Sequence, residues 1–213
     1  MTQIFSPNML KTYEKCPKKY FFKYVKGLQM PVNDDIFIEG KNIHALASYY
    51  IKGENINEME KSLSEREREQ WNYLKTLEYF NYDKINAEYS LSTKIGDYFF
   101  GGRLDALVKK DDRYYILDYK TGATPIMAAY DFQTMIYMMC VITFFKTNNV
   151  TFVYINLKNK SEVKIELHEG FISEYKSKLI NIADKIAQDN YKAITNNCKS
   201  CEYGKICYEK VLN

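Results

Sequence analysis

The chain has 213 residues, 46% of them hydrophobic, with 30 Lys+Arg set against 27 Asp+Glu. The length points to a single domain and the apolar fraction excludes a disordered chain. A net charge of +3 is too small to mark a nucleic-acid binder by itself, so any basic surface has to be local.

The first eight residues carry no charged flank followed by an apolar stretch, which argues against a secretory signal. The longest apolar run, 134–145, falls short of the roughly 20 residues a bilayer requires. The chain therefore reads as cytoplasmic, with no membrane partner. In that compartment the 5 cysteines are free thiols or metal ligands rather than a disulfide framework.

Ser6-Pro7 has the pattern of a helix N-cap with proline at the first helical position, and Pro17 opens a second helix. The spacing of Tyr20, Phe21, Tyr24, Val25 and Leu28 predicts the buried face of that second helix. Residues 35–51 read as a helix with Ile36, Ile43, Leu46, Ala47 and Tyr50 inward. Residues 57–80 read as one longer polar helix, its Glu65-Arg66-Glu67-Arg68-Glu69 run a solvated face.

The period then changes. Alternation at Ile85, Ala87, Tyr89 and Leu91 predicts a strand. Further strands at 98–109 and 114–120 follow turns at Gly96-Asp97 and at 110–113, which makes an antiparallel meander. A helix over 126–146, strands over 150–157 and 162–167 and an amphipathic helix over 171–188 complete the pattern. Residues 196–213 form a compact polar segment with three of the cysteines. This order predicts an α/β (α+β) fold, a mixed central sheet flanked by helices in one domain over 1–213, with its core at 84–167.

The segment Leu117-Asp118-Tyr119-Lys120-Thr121-Gly122 carries the most chemistry. On a strand Asp118 and Lys120 share a face. A carboxylate there can bind a hard cation while the ammonium orients or helps deprotonate a water. Gly101-Gly102-Arg103-Leu104-Asp105 supplies a second carboxylate. With the turn centred near Asp111-Asp112, position 105 falls opposite 118. Two facing carboxylates repel unless a cation sits between them. His44 is a third candidate ligand if its helix lies nearby. Glu88, on the polar side of its strand, is either an exposed glutamate or a supporting ligand. Gln133 and Tyr137, one helical turn apart, are either core groups or a pair reaching towards phosphates or bases. Cys198-x2-Cys201-x5-Cys207 forms a tight cluster, Cys16 lies far off in sequence, and Cys140 sits in an apolar helix as a small hydrophobe. Thiolates in this number bind zinc or an iron–sulfur cluster, and spacing does not choose between them.

Taken together, these motifs resemble the RecB-like branch of the PD-(D/E)xK nucleases, stand-alone CRISPR-adaptation nucleases and the AddB-type C-terminal module among them. The resemblance runs through Ser6-Pro7-Asn8-Met9-Leu10…Cys16-Pro17, Gly40-x3-His44, Gly102-Arg103-Leu104-Asp105, Leu117-Asp118-Tyr119-Lys120-Thr121-Gly122, Gln133-x3-Tyr137 and the terminal cysteine trio. It implies a restriction-endonuclease-like core with a 4Fe-4S cluster on Cys16, Cys198, Cys201 and Cys207, clamping segments 1–30 and 190–213. It further implies Mg or Mn held by His44, Asp105, Asp118 and the Tyr119 carbonyl, with Lys120 positioning or activating water. Gln133 and Tyr137 would contact DNA. Ala106-Leu107-Val108 stand where many relatives have Arg and a second Asp, so the resemblance implies nothing about a second metal.

The implied activity is trimming of single-stranded DNA ends or overhangs in a CRISPR-adaptation, phage or repair setting, with CRISPR adaptation proteins as partners. The alternative is a non-catalytic DNA-binding module with structural zinc. For DNA contact, Lys18 and Lys19, with Lys11, Lys15 and Lys23, offer a local basic patch. Tyr13, Tyr20 and Phe22 interleave with them as candidate base-stacking rings.

Overall fold

A computed structural model describes residues 3–30 and 38–211. Helix α1 (Pro7–Lys15) begins as its sequence predicts, the Ser6 side chain accepting from the Met9 N–H with Pro7 at the first turn. Helix α2 (Pro17–Tyr20) runs on into a π-helical turn, Phe21–Val25. That turn widens the helix and shifts its inward face by a residue. Tyr20 and Phe22 are buried, while Val25 and Leu28 are exposed, which overturns the face expected from the 3.6-residue period.

Helix α3 (Ile38–Ile51) buries Ile43, Leu46 and Ala47 as expected. The expectation for Ile36 lies outside the described residues. The single helix expected over 57–80 is instead α4 (Asn57–Ser62), α5 (Glu65–Thr76) and a 3-10 turn, Glu78–Asn81. Ser64 breaks it by forming a capping box with Glu67. Glu67 is consequently buried, accepting also from the Asn42 side chain at 2.7 Å, rather than standing on a solvated face.

The sheet holds β1 (Ile4–Phe5), β2 (Asp83–Ile95), β3 (Tyr98–Lys110), β4 (Arg113–Lys120), β5 (Val150–Asn156) and β6 (Ser161–Glu166). Its order is β1-β3-β4-β5-β6, with β2 also on β3. The β2-β3-β4 meander and the β5-β6 pair are antiparallel, while β4 and β5 run parallel and are connected through α6 (Phe132–Phe145). The sheet is thus mixed and flanked by helices, as the pattern predicts. One core lies between the sheet and α1, α6 and α7 (Glu169–Ala187). The other lies under α3 and α5. Strand β5 is buried along its whole length, as a strand covered on both faces should be. The helix expected from 126 starts only at its Asp131 N-cap, whose side chain accepts from the Gln133 N–H. Ile126 and Met127 are exposed ahead of it.

Strand β3 changes partner along one edge: Phe99 and Phe100 pair with β1, and Ala106 to Lys110 pair with β4. Between them no strand among the described residues lies beside the edge, and its backbone needs other partners. The Tyr137 hydroxyl from α6 donates to the Arg103 carbonyl at 2.9 Å. Glycine makes this approach possible, because a Cβ on Gly102 would stand 2.8 Å from the Tyr137 ring. Gly102→Ala is therefore expected to displace the ring and to cost about 1–3 kcal/mol by overpacking. Tyr137→Phe, which loses only the hydrogen bond, should cost about 1 kcal/mol. Urea denaturation of the two variants measures both, and the ranking is the test.

Candidate active site

The β3-β4 ladder ends at Ala106 opposite Leu117, and one step beyond stand Asp105 and Asp118, where the strands part. Asp105 bridges the opening with its side chain, Oδ2 accepting from the Tyr119 N–H at 2.9 Å. Strand alternation also reverses here. Leu104 and Ala106, two residues apart, belong to opposite cores, and so do Leu91 and Ala87 on β2. Between the latter pair Glu88 takes a left-handed φ of 52°, a strained value for a non-glycine residue. The irregularity turns Glu88 and Asp105 towards the same side.

Helix α3 brings His44 to this opening, its Nδ1 3.4 Å from Asp105 Oδ2. One ligand atom each from His44, Glu88 and Asp105 lies within 4.8 Å of the others. Glu88 Oε2 also meets Arg103 Nε at 2.7 Å. On the other side Asp118 is only 3% exposed, with the Lys120 ammonium 2.8 Å from its Oδ2. Gln133 spans the pair: its amide nitrogen donates to Asp118 Oδ1, and its Oε1 accepts from Lys120 at 2.9 Å. Leu117 and Tyr119 point into the opposite core, as the period-two reading predicts.

Burial, and then the neighbouring Asp105 charge, push the Asp118 carboxyl up to about 7 despite Lys120. For His44 burial opposes the charged imidazole, but the hydrogen bond and charge of Asp105, the charge of Asp118 and the Tyr119 backbone acceptor outweigh it and raise its pKa. The group is thus short of positive charge at the position where its oxygens and imidazole converge. His44, Glu88, Asp105 and Lys120 line a pocket of about 660 Å³, while Asp118 is buried beside it and is not among its lining residues. The pocket walls include residues not predicted from the sequence: Lys41 and Tyr49 of α3, and Lys52 just past its end. Lys41 and Lys52 stand three residues before and eight after His44, a helical spacing that points to them once His44 is in the site, whereas Tyr49, five residues on, falls outside that stripe.

Other candidates lie elsewhere. Tyr137 is buried behind β3. Lys18 and Lys19 line a second, small pocket together with Cys16, Cys198, Cys201 and Cys207. Lys19 pairs with Glu202 at 2.8 Å, and Lys18 Nζ lies 4.9 Å from the Phe21 ring centroid. Tyr13, Tyr20 and Phe22 are buried, so the expectation that they stack bases fails: these rings build the core and the chain-end packing. Cys140 is buried in α6 and away from the other thiols, with burial raising its pKa to about 12.

The profile of the PD-(D/E)XK nuclease superfamily matches residues 4–208, and the chain belongs to that superfamily. The CRISPR-associated exonuclease Cas4 of Francisella tularensis subsp. novicida (strain U112) is 26% identical over 124 residues. That match spans 57% of this chain and 63% of the Cas4 protein. Among solved structures, a Eubacterium rectale protein whose exonuclease activity is itself an assignment superposes with TM-score 0.60 at 9% identity, covering 95% of this chain and 87% of its own. The protein SSO0001 gives TM-score 0.52 at 16% identity, with 96% and 85% covered. The architecture is that of a RecB-like nuclease. No helix among the described residues is long and apolar enough to cross a membrane.

The raised Asp118 pKa has a definite consequence for stability. The folded chain holds that proton more tightly than the unfolded chain, so ionising Asp118 costs stability as pH climbs from about 4 to 7. Without metal, Asp118→Asn should therefore melt above the wild type at pH 7.5, by roughly 4 °C or about 1–2 kcal/mol. The gap should close towards pH 4. Mg or Mn should raise the wild-type melting temperature at pH 7.5 and leave Asp118→Asn nearly unmoved. Thermal melts across pH, with and without metal, test both statements.

Proposed function

We propose that the chain is a Mg- or Mn-dependent deoxyribonuclease that trims single-stranded DNA ends or overhangs. The observation that carries this reading is the meeting of His44, Asp105 and Lys120 around one accessible pocket at the open end of β3 and β4, with Glu88 within ligand distance of His44 and Asp105 and with Asp118 buried against Lys120. Three protein oxygens and an imidazole suit a hard divalent cation, and a buried carboxylate with a raised pKa is relieved by one. His44, Asp105, Asp118 and the Tyr119 carbonyl would hold it. When bound, the metal supplies Lewis-acid polarisation of the phosphate and a more acidic water.

The chain's own residues do the rest. Asp118 and Gln133 hold the Lys120 ammonium in one place, so that it orients the attacking water and faces the charge that develops on the phosphate. Gln133 acts as the positioning residue between the D-x-K pair and α6. Tyr137 supports it from behind by fixing the β3 edge. Of the cations lining the pocket, Arg103 and Lys120 are paired with Glu88 and Asp118, while Lys41 and Lys52 enter none of the ion pairs formed among the described residues and are better placed than Lys18 and Lys19 to meet a substrate there.

The four thiols Cys16, Cys198, Cys201 and Cys207 fit a 4Fe-4S cluster, because they surround one pocket of about 40 Å³. The Ile194 N–H already donates to Cys16 Sγ at 3.4 Å. Burial and then the neighbouring Cys198 and Cys16 raise the Cys207 thiol, a crowding that metal ligation removes. The match to a CRISPR-associated exonuclease supports a CRISPR setting for this activity.

End-labelled single-stranded and duplex DNA, with and without Mn, tests the activity. Cleavage is expected only with metal and faster on single strands. Asp118→Ala should abolish it, and Lys120→Ala should lower it by about 10²–10³-fold. Metal-dependent cleavage that persists in purified Asp118→Ala overturns the assignment. For the cluster, Cys16→Ser should lose the visible absorbance of anaerobically purified protein and Cys140→Ser should keep it. Stoichiometric zinc in place of iron and sulfide would return the cysteines to a structural zinc site.

A further inference from the structure

The described aromatic residues are buried or half-buried with two exceptions, Tyr49 and Phe144. Phe144 packs edge-on against Tyr89 and Phe145. Tyr49 is 42% exposed, its ring lies in none of the ring contacts of the described residues, and its hydroxyl has no hydrogen-bond partner among them. Its neighbour Tyr50 packs on Trp71 and Phe80 instead. Nearly all the described aromatics are paired, whereas Tyr49 leaves its ring face free, and a free ring face in a cleft can take a planar partner.

Tyr49 does stand in one: it lines the pocket that His44, Asp105 and Lys120 share. Lys41 on the same helix and Lys52 just past its end line that pocket as well. They lie about 16 Å apart along the helix axis, a span of a few nucleotides, with Tyr49 between them. A ring flanked by unpaired cations is the arrangement by which proteins hold single strands, the ring taking a base face and the lysines taking phosphates. A stacked duplex offers no free base face to such a ring.

We propose that Tyr49 is a base-stacking residue that receives an unpaired nucleobase of the substrate strand at the active-site pocket, with Lys41 and Lys52 neutralising the adjoining phosphates. The inference rests on the nuclease reading above and deepens it, because it gives a physical origin for single-strand preference. It requires no sequence preference, since every base has a π face.

The test compares Tyr49→Ser and Tyr49→Phe with the wild type, using short single-stranded and blunt duplex DNA in Mn. Tyr49→Ser should raise KM for the single strand roughly tenfold, with kcat within twofold. Tyr49→Phe should restore KM, and KM for the duplex should stay within twofold in both variants. In a Lys120→Ala background with Mg, a 2-aminopurine-containing single strand should be quenched on binding. Quenching should survive Tyr49→Phe and be lost in Tyr49→Ser. Unchanged single-strand KM with unchanged quenching, or an equal rise for single strand and duplex, overturns the proposal. Failure of the nuclease reading looks different: the wild type would then cut neither substrate, while the quenching comparison would still report on the ring.

Discussion

Two carboxylates placed where β3 and β4 part, one of them buried, constitute the constraint around which the rest of this structure is arranged. Asp105 and Asp118 repel, and burial makes the repulsion expensive. Each neighbouring element supplies part of the compensation. β4 supplies Lys120, α6 supplies Gln133, α3 supplies His44, and the Tyr119 backbone N–H takes one Asp105 oxygen. The compensation is incomplete, since Asp118 still keeps its proton to about neutrality. A site that balanced its own charge would have little use for a divalent cation. This one is left with a deficit that faces an open pocket.

Holding such a site requires a rigid frame, and the sheet provides it at some local cost. The pleat reverses at Asp105, and Glu88 opposite takes a strained backbone. The edge of β3 is bare between its two partner strands, and α6 closes on it through Gly102 and Tyr137. The same helix presents Gln133 one turn earlier. Gly102, the tyrosine and the glutamine thus form one device: close approach of α6 to β3 is what sets Gln133 against the D-x-K pair.

Much of this is legible in the sequence because its information is local. Period-two alternation puts Asp118 and Lys120 on one face, and a tight turn at Asp111-Asp112 sets Asp105 beside Asp118. What fails to show is non-local or depends on a single backbone shift. A π turn after Tyr20 rotates the second helix's face, and no 3.6-residue periodicity can display it. The reversal at Asp105 depends on the left-handed turn of Glu88, which strand propensity does not foresee. The break before α5 is different: Ser64-x-x-Glu67 is a capping-box pattern, and the charge run around it masked the signal. Tyr49 is invisible for a simpler reason. Nothing in a sequence rich in buried tyrosine distinguishes the ring that is left out.

The segments 19–28 and 202–203 pack together through contacts other than those of the thiols. Lys19 pairs with Glu202, the Phe22 and Tyr203 rings stack, and the Tyr203 hydroxyl donates to the Leu28 carbonyl at 2.8 Å. These contacts explain why Lys18 and Lys19 make a poor basic patch: their ammonium groups are engaged by Glu202 and by the Phe21 and Phe22 rings. They also place the cysteine pocket in mechanical continuity with the active site. Cys16 terminates α1, and Lys11 of the same helix meets Asp131 at 2.8 Å. Asp131 is the N-cap of α6, its carboxylate accepting the Gln133 N–H, and the Gln133 side chain holds Asp118 and Lys120. A short run of direct contacts therefore leads from the thiol cluster to the D-x-K pair. The position of Gln133 against Asp118 and Lys120 thus depends on α1 as well as on α6, because Lys11 engages the carboxylate that caps α6.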